Sequence, residues 1–179
     1  TITAYKECAM KQKAVLFAEV IGCGNLVFGS PKNRAIPGDK YIPSAVDFFQ
    51  KIGEFAHQHG AVIAIEPNPP YYNTNFINTT DEAFAFCRQI DHPGIRVNVD
   101  LGTMIHYDES LDLIKDNIEL VNHIHISEPL LAVIQVREIH QKLLKLDYPN
   151  WMSIEMKNPG DPEIVKSVVR YIEGCGYAI

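Results

Sequence analysis

Two spacings of apolar residues take turns along the chain, one close to the 3.6-residue turn of a helix and one of two residues. Together they predict helices and strands in regular succession. Residues 5–21 read as a helix that ends at Gly22 and Gly24, and NLVFG at 25–29 reads as a strand leading into the turn-rich segment SPKNRAIPGD. Over 44–58, Ala45, Phe48, Phe49, Ile52, Phe55 and Ala56 fall at helical spacing, and Gly60 stops that helix before a strand closing on Glu66. A helix over 80–90, opened by Thr80, Asp81 and Glu82, precedes a strand that closes on Asp100. The alternation then predicts a helix over 109–119, a strand over 121–126, a helix over 132–146, a strand over 151–155 and a last helix over 161–174. Five strands alternating with helices, without a break in composition, predict one α/β domain over 1–179 with a parallel sheet.

Side chains alternate faces along a strand, so Val62, Ala64 and Glu66 share one side while Ile63 and Ile65 share the other. In the same way Arg96, Asn98 and Asp100 oppose Val97 and Val99, and His123 and His125 oppose Ile124 and Ile126. Trp151, Ser153 and Glu155 oppose Met152 and Ile154, which would turn Trp151 inward as a core residue. Large aliphatics on one side and a mixed set on the other fit a (β/α) barrel of the TIM type, whose outer strand face meets helices while the inner face converges on the axis. A doubly wound open sheet would need apolar residues on both sides. A full barrel has eight strands in about 250 residues. Five predicted strands in 179 residues therefore correspond to a partial barrel of about five βα units lacking the N-terminal units, with an open five-stranded sheet as the alternative. Open edges on such a sheet favour homo-oligomerisation.

The strand ends carry the candidate chemistry. AVIAIE stops at Glu66, IRVNVD at Asp100, VNHIH at His125 and WMSIE at Glu155, at intervals of 34, 25 and 30 residues. Each interval accommodates one strand, one crossover helix and two loops, so neighbouring parallel strands would each deliver one metal-binding group to the same mouth. Three carboxylates and one imidazole make a mostly oxygen-donor site, suited to Mn2+ or Mg2+ and tolerant of Co2+ or Zn2+.

Composition narrows the remaining classes. With 46% hydrophobic and 21% charged residues the chain can bury a sizeable core, and a net charge of −6 argues against a broad nucleic-acid footprint. Cys8, Cys23, Cys87 and Cys175 form no CxxC pair and read as buried free thiols, which implies a reducing, cytoplasmic setting. No apolar run approaches the roughly 18 residues of a membrane span, and no secretory leader is visible.

The ordered segments GNLVFGSPKNR, IAIEPNP, VNVDLGTM, HIHISEP and SIEMK resemble the C-terminal portion of the xylose-isomerase-like TIM barrels, in particular the sugar phosphate isomerase/epimerase group. The resemblance implies a metal-dependent isomerase or epimerase of a small sugar, sugar phosphate or related hydroxy-carbonyl compound. Glu66, Asp100, His125 and Glu155 would be the metal ligands, and Glu66 and Glu155 would share proton transfer through an enediolate. A lyase of the inosose-dehydratase type, a nuclease like endonuclease IV and a non-catalytic metal-binding barrel are the alternatives. Thr103 and Asn73 stand where the ketose 3-epimerases resemble one another in a histidine and a glutamate that hold substrate, so the resemblance supports the metal site more than any named sugar.

Six further residues are candidates for substrate binding. Lys32, Asn33 and Arg34, in the loop leaving the first strand, would grip a phosphate or carboxylate; a solvated charged loop is the alternative. Asn68 would bond a substrate hydroxyl or merely form a turn, and Lys157 would orient substrate or sit as a surface lysine. His123, inward beside His125, would support the site or simply pack in the interior.

Overall fold

The computed structural model describes residues 2–176, and the side chains of residues 2–11 and of Asn33 lie outside the description. Among the described residues seven α-helices and five strands alternate, except that α4 and α5 both fall between β3 and β4. The order is α1 (Ile2–Ile21), β1 (Asn25–Phe28), α2 (Ile42–Gln58), β2 (Val62–Ile65), α3 (Thr80–Ile90), β3 (Ile95–Asp100), α4 (Leu101–Tyr107), α5 (Asp112–Lys115), β4 (Val121–Ser127), α6 (Glu138–Leu144), β5 (Met152–Glu155) and α7 (Pro162–Gly174). All five strands pair in parallel in the order β1-β2-β3-β4-β5. This is a partial TIM barrel.

The sheet is curled, and one contact shows how far. Asn122 at the start of β4 donates a hydrogen bond to Asn25 on β1, although β2 and β3 lie between them in the sheet. That bond can form only across a concave face. The pairing register shifts between Val97 and Asn98, after which Asn98 lies opposite His123 and Asp100 opposite His125. This irregularity sets the inward residues of β3 and β4 side by side, as bulges do when they re-aim a strand.

The convex face carries the core. Ile63, Ile65, Val97, Val99, Ile124 and Ile126 are all buried there, as the period-2 pattern predicts. Helix α2 covers β1 and β2 with Phe49, Ile52 and Ala56, and Phe49 meets Phe28 and Phe86 edge-on at 5.1 and 5.6 Å. Backbone touches backbone at one point of this layer. A Cβ at Gly94, just before β3, would stand 2.0 Å from the Gly53 carbonyl oxygen of α2. Neither chain segment can yield there, so Gly94→Ala is expected to cost about 3 kcal/mol in urea unfolding, while any residue tolerated without a loss would mean the layer is loosely packed.

Helix α3 spans Thr80–Ile90 as the sequence predicts, and what the pattern did not give is its N-cap, Thr79, in a capping box with Glu82. Two larger differences fall after β3 and β4. The segment 109–119 forms only the four-residue α5 and one 3-10 turn, while the unpredicted α4 begins immediately after Asp100. The cause is Asp100 itself, whose carboxylate accepts the Thr103 amide and caps the new helix. Over 132–146 the helix forms only from Glu138. The preceding stretch is held extended by the buried Glu128, which accepts hydrogen bonds from the Gln135 amide and from Arg137. Trp151 precedes β5 rather than lying in it, so strand alternation does not apply. It is 84% exposed, beside an open cavity of about 690 Å³ that Tyr148 and Ile172 also line. Of the cysteines described, Cys87 is buried and Cys23 and Cys175 are half-buried, all free; burial pushes the Cys87 thiol up to about 11. No helix among the described residues is long and apolar enough to cross a membrane.

Candidate metal centre

Four strand ends meet at one point on the concave side. Glu66 follows β2, Asp100 ends β3, His125 lies in β4 and Glu155 ends β5, and one ligand atom from each lies within 4.8 Å of the others. His125 Nδ1 is the hub, 2.7 Å from Glu66 Oε1 and 2.9 Å from Glu155 Oε2. In a flat sheet β2 and β5 would stand about 14 Å apart, three strand spacings, so the curl is what brings Glu66 and Glu155 to one nitrogen. Among the described residues this is the one group of three or more such side chains placed to hold a metal.

Three of these four side chains, Glu66, Asp100 and His125, are held from behind. Asn98, fully buried one strand turn below Asp100, donates its Nδ2 to Glu66 Oε1 at 2.7 Å and lies 3.2 Å from His125 Nδ1. Asp100 accepts three hydrogen bonds, from the Thr103 amide at 2.7 Å, the Thr103 hydroxyl at 2.8 Å and the Ser127 hydroxyl. Ser127 in turn accepts the Gly102 amide at 2.8 Å. Gly29 leaves the room that Glu66 fills, because a Cβ there would fall 2.0 Å from Glu66 Oε2. Asn98, Ser127 and Gly29 escaped the sequence reading as site residues. Asn98 was visible only as an inward position, and for the other two the pattern carries no signal.

The electrostatics describe a site crowded with negative charge. Burial first, and then the Glu66 carboxylate, push Asp100 up to about 6 against the pull of its three hydrogen bonds. Burial alone would lower His125, but its hydrogen bonds to Glu155 and Glu66, with the charges of both, raise it to about 10. Three carboxylates around one imidazole, at these separations, suit a divalent cation. The donor set and its crowding both fit such an ion.

Of the other predicted site residues, Arg34, Asn68 and His123 adjoin Glu66 or His125, while Lys32 and Lys157 are exposed. Arg34 is wholly buried and turned inward, donating to the carbonyls of Phe28 and Glu66, so it does not grip a substrate at the mouth. Lys32 is exposed on a 3-10 turn, and the Asn33 side chain lies outside the described residues. Asn68 is buried with its amide donated to the carbonyls of Gly29 and Glu66, which ties the chain leaving β1 to the chain leaving β2. Lys157 is exposed, its backbone amide bonded to the Leu131 carbonyl. His123 contacts the Ser153 hydroxyl at 2.7 Å and the His125 ring at 5.3 Å, and burial lowers its pKa. Asn73 takes a left-handed turn conformation and is exposed. Aromatic residues stand near the carboxylates instead. Tyr71 and Tyr72 pack at a tilt with ring centroids 4.6 Å apart, and Tyr71 meets His106 edge-on at 4.8 Å. Burial, with the charges of Tyr71, Asp100, Glu155 and Glu66, holds the Tyr72 phenol protonated.

The chain belongs to the xylose isomerase-like TIM barrel family, whose model matches residues 6–175. It is similar to the solved structure of an L-ribulose 3-epimerase (TM-score 0.72, 16% identity), covering 90% of this chain and 58% of that one. It is similar to 3-keto-D-glucoside 4-epimerase from E. coli (TM-score 0.80, 16% identity; 94% of this chain, 70% of that one). It also resembles a xylose isomerase-like TIM barrel protein from Mycobacterium smegmatis in complex with magnesium (TM-score 0.67, 16% identity; 96% and 68%). The chain thus spans about three-fifths to seven-tenths of the length of these structures. Among curated proteins none matches.

Proposed function

We propose that the protein is a divalent-metal-dependent isomerase or epimerase acting on a small sugar or related hydroxy-carbonyl compound. The observation that carries this reading is the convergence of Glu66 and Glu155, from strands on the two sides of β3 and β4, on the single nitrogen of His125. The sugar epimerases among the structural neighbours, and the magnesium bound by another neighbour, the Mycobacterium smegmatis protein, support it.

Glu66, Asp100, His125 and Glu155 would hold the ion, with Mn2+ or Mg2+ favoured by three oxygen donors. When bound, it supplies polarisation of a substrate carbonyl and stabilises the charge left when the neighbouring carbon loses a proton. The chain's own residues do the rest. Glu155, with 40% of its side chain exposed, takes or returns a proton on the open side of the site. Glu66, 11% exposed and fixed by Asn98, faces it as the second proton carrier. Asp100 has its oxygens committed to Thr103 and Ser127 and serves as a ligand only. Tyr72, kept protonated, can donate to a substrate hydroxyl.

Incubating the Mn2+-loaded protein with a panel of hydroxyketoses in heavy water tests the reading. Deuterium should appear at a carbon next to the carbonyl of at least one substrate. A protein that binds Mn2+ tightly yet exchanges no proton from any of them is a binding module, and the enzymatic proposal fails.

A further inference from the structure

We propose that Arg34 is a positioning residue that fixes the metal-ligating Glu66 from beneath, not a substrate-binding group. The proposal rests on the reading of Glu66 as a metal ligand given above, and it concerns how that ligand is held in place.

The β1–β2 pairing ends at the pair Phe28 and Ile65, so Glu66 stands one residue beyond the last pair. Its amide makes one long bond to the Phe28 carbonyl at 3.3 Å, and Asn68 reaches its carbonyl at 3.2 Å. Arg34 adds the tie that joins both strand ends through one nitrogen: Nη2 donates to the Phe28 carbonyl at 2.6 Å and also to the Glu66 carbonyl. The guanidinium lies 5.1 Å from the centroid of the Phe28 ring, which fixes its plane. Its own backbone is held from both sides. The Arg34 amide donates to Pro31, and its carbonyl accepts the Thr74 hydroxyl at 2.6 Å and the Asn75 amide at 3.2 Å. Arg34 therefore ties the loop after β1, the loop after β2 and the end of both strands into one unit. Glu66 emerges from that unit into the space left by Gly29.

Volume alone does not explain an arginine here. The side chain is fully buried, and its Nε and Nη1 meet no acceptor among the described residues. Burial depresses its pKa to about 10 despite the nearby Glu66 charge. An apolar side chain would fill the same space without that desolvation cost. What it would lack is a donor reaching two carbonyls at once. The single Nη2 faces both carbonyls because the planar guanidinium is seated over the Phe28 ring, and lysine carries no planar group to seat there.

Arg34→Lys keeps the charge and removes the planar group seated over Phe28, so electrostatic repulsion of the cation is unchanged and only positioning is lost. Calorimetric titration with Mn2+, at a temperature where circular dichroism shows the variant folded, should give a Kd about tenfold to a hundredfold weaker than wild type, the range seen when a group supporting a metal ligand is removed. Thr74→Val loosens the Arg34 backbone without burying a charge, and should weaken Kd in the same direction by less; it decides the matter if Arg34→Lys does not fold. Gly94→Ala, remote from the ligands, should lower the Tm while leaving Kd at the wild-type value, so loss of stability by itself cannot mimic the effect. Wild-type affinity in folded Arg34→Lys and in Thr74→Val would overturn the role of Arg34 alone. No Mn2+ binding by the wild-type protein would overturn it together with the metal reading.

Discussion

Glutamine in place of Glu66 is expected to abolish deuterium exchange into substrate and to weaken Mn2+ binding together, because the same carboxylate serves as ligand and proton carrier. Proton transfer by a positioned carboxylate contributes about 10²–10⁴ in rate, so exchange should fall at least that far. The fold should survive. The amide of glutamine is close in shape to the carboxylate, can still meet Asn98, and fits the space beside Gly29. Glu155→Gln should lose exchange equally. Its side chain is more exposed than that of Glu66, so less of the site's geometry depends on it and Mn2+ binding should suffer less. Because the two carboxylates act on one substrate carbon, the double variant should be barely slower than either single one, the non-additivity expected of groups that work as a unit. Full exchange in either single variant would remove that residue from the proton path.

The second large effect is on stability. A cation that binds the folded protein alone stabilises it by about 2.7 kcal/mol at a concentration a hundred times Kd. For a chain of this size that is a Tm rise of about 5–10 °C. The rise should depend on pH in a direction that Asp100 and His125 determine. Asp100 is pushed up from its ordinary value to about 6. In the metal-free protein its contribution therefore favours folding fully only below its unfolded value, about pH 4, and is lost as pH rises through about 6. His125 is raised to about 10, so its stabilising ion pairs are complete below about pH 6.5 and are lost as pH rises through about 10. A dication competes with both protons. The Mn2+-induced rise in Tm should accordingly be small at pH 5 and grow towards pH 8, and binding near neutrality should release a proton from His125. Thermal scans with and without Mn2+ across that range measure it, and Asp100→Asn should largely remove the shift. A shift of constant size from pH 5 to pH 8 would mean that the cation binds elsewhere.

Most of the fold was legible because a strand with one aliphatic face and one mixed face repeats every two residues, and five such strands alternate with helices. The four converging side chains were legible for the same reason: each is the last inward residue of a strand or lies near its end. What could not be read were the places where a side chain redirects the backbone. Asp100 reads as a strand end and a ligand, yet its carboxylate also caps α4, so a helix starts where a loop was expected. Glu128 reads as one more polar loop residue, yet its buried bond to Arg137 delays α6. Arg34 reads as a cation in a charged loop, and no local pattern says that it folds back under Glu66.

The order of strands, their inward faces and the four candidate metal-binding side chains were thus determined by the sequence alone, because hydrophobic periodicity acts over a few neighbouring residues. The meeting of Glu66 with Glu155 at His125, the support from Asn98, Thr103 and Ser127, and the burial of Arg34 were decided only by the tertiary structure. They depend on the curl of the sheet and the register shift between β3 and β4, which bring distant residues into contact, and such contacts leave no mark on local spacing.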